Sequence, residues 1–257
     1  MNRRNLLKVL GAGGCGAAAV VAARSLFWPA ARRPAAPEAA GSARPFGLFD
    51  VDSRELNKAG NGLGFRPRVE PLVDRLNRLY ALAEEHSAPL VFTTCCSGRM
   101  LRPDSLPEVL FVPLDAAERD WAERLGEHRL FCVQKKTYTP DTQLNFTCRA
   151  YDMFQDNGNA AHLVQALNVG EWAVFGNGFD LCINSAVHGL LAAEQKVCLL
   201  SDVWATASRG YYVSTSRGQM ECGTAENQAR ILAEFRQLGV RTATLEEFLA
   251  SVARSPA

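Results

Sequence analysis

Histidine is scarce in this chain, with four residues (His86, His128, His162 and His188). The eight cysteines contain no Cys-x-x-Cys pair and no Cys/His array, which removes the common structural zinc patterns. A disulfide framework is not needed either. A chain of 257 residues with 47% apolar content buries enough core without staples. An excess of one charge is also missing, since the formal net charge is only +1. That balance hides an uneven distribution. Residues 1–40 hold Arg3, Arg4, Lys8, Arg24, Arg32 and Arg33 against Glu38 alone, so this stretch is +5 and the rest is −4. The body therefore offers no electrostatic footprint for nucleic acid. No internal repeat is visible, and nothing beyond residue 45 is low-complexity.

The first forty residues read as an address. Arg3 and Arg4, followed by Asn5, Leu6, Leu7 and Lys8, resemble the twin-arginine export motif. A weakly apolar, Gly/Ala-rich run follows over 9–21, and a Pro/Ala stretch over 29–40 supplies small residues suited to signal peptidase. The expected partner is the twin-arginine export machinery, which moves folded proteins, and the expected workplace is the periplasm or beyond. An uncleaved membrane anchor is the alternative, although the apolar run is short and broken by glycines. Lipidation at Cys15 is weaker still, because residues 12–14 lack the aliphatic residue such a site prefers. The chain divides into this leader, 1–40, and a domain over 45–252.

Within the domain, short apolar runs alternate with amphipathic stretches, the pattern of a mostly parallel sheet in a three-layer α/β/α arrangement. Strands are expected at 46–50, 89–94, 130–135, 171–176, 197–202 and 241–243. Residues 70–85 carry Leu72, Val73, Leu76, Leu79, Tyr80 and Ala83 at helical period. Further helices are expected at 159–167, 182–194 and 224–238. Thr244 with Glu247 resembles a capping box for a terminal helix. Cys132 and Cys198 fall inside strand-like runs and read as buried apolar cysteines. The vicinal pair Cys95 and Cys96 is less easily dismissed.

Residues 176–183 read Gly-x-x-Phe-Asp-x-Cys-Ile, which is a strand, a glycine-bearing turn and a cysteine opening a helix. A cysteine so placed faces backbone N–H groups and the positive end of the helix dipole, which favours the thiolate. Asp50 and Lys135 terminate other strands at the same carboxyl edge, where functional groups of such sheets gather. These segments, with the order Asp50-x-Asp52, Lys135-x-x-Tyr138, Gly176 to Ile183 and Ser201-Asp202, resemble the isochorismatase/nicotinamidase family of cysteine hydrolases across about 45–250.

The resemblance implies a catalytic triad of Asp50, Lys135 and Cys182, with Cys182 as nucleophile. Lys136 competes for the lysine role, but strand alternation and the spacing to Tyr138 favour Lys135. A cis peptide bond would map to Asn177–Gly178, turning an N–H toward the substrate oxygen beside that of Cys182. The implied activity is hydrolysis of a C–N bond in a small amide-like molecule through a thioester. Vinyl-ether hydrolysis of isochorismatase type, and a non-catalytic periplasmic thiol or binding protein using Cys95 and Cys96, are the alternatives.

Departures from the family pattern bear on the substrate. The histidine-bearing metal motif of the nicotinamidase branch is replaced by Thr94-Cys95-Cys96-Ser97-Gly98-Arg99, so neither metal nor other cofactor is expected. Asp52 stands where a Gln is usual, either repelling anionic substrates or serving as a solvated loop acid. Phe179 stands where a Thr is usual, making the pocket floor more apolar or packing in the core. With Tyr138, these are the pocket candidates. Residues 139–150 form an insert, either a lid or a surface loop. A homo-oligomer is left open.

Arg3→Lys together with Arg4→Lys is expected to hold the precursor in the cytoplasm. Fractionation of a bacterial host reads this directly, and undiminished delivery to the periplasm would overturn the twin-arginine reading.

Overall fold

Apolar runs rich in Val, Leu, Phe and Trp become six strands of one parallel sheet, and the three-residue run Arg241–Ala243 becomes the seventh. The computed structural model describes residues 45–53, 69–93, 108–135, 153–206, 212–215 and 218–254. In chain order the elements are β1 (Gly47–Val51), α1 (Val69–Glu85), β2 (Leu90–Thr93), β3 (Val109–Val112), β4 (Leu130–Val133), α2 (Met153–Asp156), α3 (Ala160–Ala166) and β5 (Trp172–Asn177). They continue with α4 (Asn184–Ala192), β6 (Val197–Ala205), β7 (Tyr212–Thr215), β8 (Gly218–Glu221), α5 (Ala225–Gln237), β9 (Arg241–Ala243) and α6 (Leu245–Ala253). A 3-10 helix, Asp120–Glu127, precedes β4.

Seven strands lie in the order β3-β4-β2-β1-β5-β6-β9, and every pairing among them is parallel. The strands β7 and β8 form a separate antiparallel pair. Both faces of the sheet are covered, as parallel sheets require. Phe49, Val51, Val174 and Leu199 share one core with Phe154, Leu163, Val187 and Phe235 from α2, α3, α4 and α5. Leu48, Phe175, Cys198 and Leu200 share the other with Leu76 and Leu79 of α1 and Phe248 of α6. Odd and even positions of β1 thus serve different layers, the period of two that a pleated strand imposes.

The three-layer α/β/α class expected from the sequence is the one found. All six expected strands are present, and the structure adds β3 at the sheet edge and the β7–β8 pair. Thr244 caps α6 with the full reciprocal box, its side chain accepting from Glu247 N and Glu247 bonding back to Thr244 N. The helical segment that carries Cys182 starts earlier than expected, with a π turn over Phe179–Ile183 running into α4.

Close packing fixes α4 against α2. A Cβ built on Gly189 would stand 2.1 Å from Phe154 Cδ2, and Phe154 is itself stacked on Phe49 with centroids 6.1 Å apart. Gly189→Ala should therefore destabilise the fold by roughly 1–3 kcal/mol, despite alanine's better helix propensity. Thermal unfolding should show a Tm several degrees lower; an unchanged or raised Tm would contradict the packing.

Candidate active site

Strand order decides where the chemistry gathers. From β1 the chain builds outward through β2 and β4 on one side, and through β5 and β6 on the other. The crevice at such a switch point lies beyond the carboxyl ends of the strands. Asp52 follows β1, Thr93 ends β2, Lys135 follows β4, and the turn to Cys182 follows β5.

The Lys135 ammonium donates to Asp52 Oδ2 at 2.6 Å, with both side chains essentially inaccessible. Thr93 stands on the strand between them. Its hydroxyl donates to Asp52 Oδ1 at 2.7 Å and accepts from Asp52 N at 3.1 Å. Asp52 takes a left-handed backbone, φ 55°, which aspartate tolerates better than most residues. That twist breaks the alternation of β1 and brings the carboxylate to Thr93. Lys135 continues the parity of Val133, which faces the same core as Cys182.

The sequence reading assigned the triad acid to Asp50; the structure also brings Asp52 to Lys135. Asp50 has the parity of Leu48 and lies toward α1. It accepts from Tyr80 OH at 2.6 Å, from Ser53 N at 3.2 Å, and from the Ser53 hydroxyl. Asp52 is thus no solvated loop acid: it is 2% exposed.

Cys182 is 5% exposed and is the fourth residue of the π turn. Ile183 N reaches back five residues to Gly178 O at 3.1 Å, and Leu181 N reaches the same oxygen at 2.9 Å. Gly178 makes the turn possible, with φ 75° and ψ 54°. A Cβ there would lie 3.5 Å from Cys182 Sγ, an ordinary contact, so it is the positive φ and not space that calls for glycine. The cis bond expected at Asn177–Gly178 is not found, because every peptide bond among the described residues is trans. The left-handed glycine reverses the chain unaided, without the ~3–4 kcal/mol of a non-proline cis bond.

Asp180, which the sequence matched without giving it a role, pins this turn. Fully buried, it accepts from Asn227 Nδ2 at 2.7 Å, from Gly223 N at 3.2 Å and from the Thr206 hydroxyl. Asn227 Oδ1 in turn receives Arg230, which also bonds Glu234 at 3.1 Å. Glu234 returns to α4 through His188 at 3.3 Å. The His188 bond, set against burial, holds the Glu234 carboxyl below its ordinary range, with Arg230 adding to the effect.

Phe179 is a core residue, stacked on Trp204 with centroids 4.2 Å apart and edge-on to Phe235. The Trp204 indole N–H is buried without a hydrogen-bond partner. Tyr138, Lys136, Cys95, Cys96, the insert 139–150 and the leader lie outside the described residues. Among the described residues no group of three His, Cys, Asp or Glu could hold a metal, so no residue is assigned to one. The histidines have other surroundings: His86 packs edge-on to Phe46, His128 meets Arg124 and Glu108 O, and His162 meets Arg119. Burial, reinforced by Arg119, lowers the His162 pKa. Cys132 and Cys198 are buried strand residues as expected, and burial pushes the Cys198 thiol up to about 12.

Seven parallel strands covered by helices on both faces form a three-layer α/β/α fold. Among solved structures the chain is similar to a cysteine hydrolase from Pseudomonas syringae pv. phaseolicola 1448A, at 14% identity and TM-score 0.52, covering 81% of this chain and 92% of that one. It is also similar to the YcaC gene product of Escherichia coli, an octameric hydrolase of unknown specificity, at 13% identity and TM-score 0.50, covering 82% and 80%. No family model matches the sequence, and no curated protein matches it significantly.

Breaking one partner of a buried ion pair leaves an uncompensated charge, which costs about 3–5 kcal/mol. Asp52→Asn should therefore be strongly destabilising on its own. Combined with Lys135→Met it should recover most of that loss in denaturant unfolding. Simple additivity of the two would show that the charges are not coupled.

Proposed function

We propose that this chain is a cysteine hydrolase that cleaves the C–N bond of a small amide-like substrate, with Cys182 as nucleophile, Asp52 as acid–base and Lys135 between them. The observation that carries this reading is the buried Lys135–Asp52 pair just beyond the carboxyl ends of β4 and β1, the sheet edge from which the turn to Cys182 leaves β5. A thiol, a carboxylate and an ammonium so arranged suit nucleophilic acyl transfer. Asp52 accepts the Cys182 proton, and Lys135 holds both anions in place. The thiolate attacks the carbonyl carbon, and the backbone N–H of Cys182 receives the oxyanion. One such donor is worth ~3 kcal/mol of transition-state stabilisation.

The leaving amine departs with the proton from Asp52. Water, deprotonated by Asp52, then opens the thioester and frees the acid product. The likeness to the Pseudomonas syringae cysteine hydrolase supports the fold on which this chemistry rests. The twin arginines and Pro/Ala stretch of residues 1–40 support an exported site of action.

Cys182→Ala should abolish turnover in a screen of small amides while leaving the fold intact. Asp52→Asn should cost orders of magnitude in kcat/KM, whereas Asp50→Asn, which disturbs Tyr80 and Ser53, should retain most activity in the folded fraction. Activity near wild type in Cys182→Ala would sink the reading. The reverse order of the two aspartate variants would return the acid role to Asp50.

A further inference from the structure

The strand-end segment that carries Lys135 is braced by one side chain from another layer, Asn157, in the loop joining α2 to α3. Asn157 is fully buried. Its amide nitrogen donates to Val112 O at 3.0 Å and to Gln134 O at 3.1 Å. Its Oδ1 accepts from Asn159 N at 2.9 Å, and its own backbone N donates to Met153 O at 2.8 Å. Each polar group of the side chain is thereby used, which leaves it one orientation.

The two carbonyls it joins stand where the sheet ends. Val112 and Val133 form the last register pair between β3 and β4, and beyond them Gln134 N reaches Val112 O only at 3.5 Å. Past that point the regular ladder no longer fixes the backbone. The Asn157 amide takes over, holding the Gln134 carbonyl one residue before Lys135. From there the lysine side chain reaches Asp52 at 2.6 Å.

We infer that Asn157 is a positioning residue for Lys135, acting through the Gln134 carbonyl to hold the ammonium at the nucleophile's face of the sheet. The inference rests on the triad reading above. Its neighbour Asn159 supplies an internal comparison. Asn159 grips the carbonyls of Pro113, Asp115 and Glu118 and has no bond to β4, so it shares the loop but not the role.

The test is the pH profile of Cys182 alkylation by iodoacetamide in the full chain, followed by mass mapping of the Cys182 peptide. An ammonium near a thiolate lowers the thiol pKa, so Lys135→Met should raise it. Asn157→Ser should raise it too, by about one unit, a tenfold loss of thiolate at neutral pH. In the Lys135→Met background Asn157→Ser should add nothing further, while Asn159→Ser should lower Tm and leave the profile in place.

An unmoved profile in Asn157→Ser, an equal shift in the Lys135→Met background, or an equal shift from Asn159→Ser would each overturn the inference while leaving the triad standing. No shift from Lys135→Met would instead overturn the triad reading, and this inference with it. If Asn157→Ser does not fold, Asn157→Gln carries the same test, because the longer arm cannot meet both carbonyls; a wild-type profile there would also overturn the inference.

Discussion

The buried contact between Lys135 and Asp52 is the constraint around which the carboxyl edge of the sheet is organised. Two charges removed from water tolerate little displacement, because their attraction offsets desolvation only when the geometry is good and the remaining lone pairs are used. The partners come from strands that are not neighbours, with β2 between them. Thr93 on that strand accordingly engages both the carboxylate and the backbone of Asp52. The left-handed residue at position 52, the hydroxyl of Thr93 and the amide bridge from Asn157 all serve one arrangement.

The turn that carries Cys182 is held by a different kind of polar chemistry. Asp180 is a buried carboxylate satisfied by neutral donors, from the end of β6, the start of the β8–α5 junction, and α5 itself. Through Asn227, Arg230, Glu234 and His188 the same network returns to α4, the helix that follows Cys182. Two networks, one on each side of the switch point, therefore converge on the crevice from α2–α3 and from α5. Environment also separates the cysteines. Cys198, in mid-strand, is pushed to about 12 by burial, while Cys182 opens a helical segment against a bare glycine.

Much of the fold was legible because its signals are local. The helical period of 70–85, the capping box at Thr244 and the apolar runs of β1, β4, β5 and β6 each reflect short-range geometry, and all appear where expected. The edge strand β3 and the pair β7–β8 did not stand out. Length is not the reason, since β2 and β4 are equally short; β3 sits at the sheet edge, and β7 and β8 carry few apolar residues and, among the described residues, pair only with each other. Asn157 was equally silent: a polar residue before a short helix looks like any loop residue until its amide is seen between two strand ends.

The sequence by itself determined the layer architecture, the carboxyl-edge position of Lys135, and the cysteine in the strand–glycine–helix turn, since these follow from apolar periodicity and from glycine spacing. Tertiary structure alone showed that Asp52 meets the lysine. Asp50 and Asp52 are two residues apart and would share a face in a regular strand, so alternation cannot tell them apart. The positive φ at Asp52 and the hydroxyl of Thr93 carry one carboxylate to Lys135, while Tyr80 and Ser53 engage the other. Tertiary structure likewise decided that Gly178 turns the chain with a trans bond, because a glycine's left-handed freedom is visible in its dihedrals and not in its name.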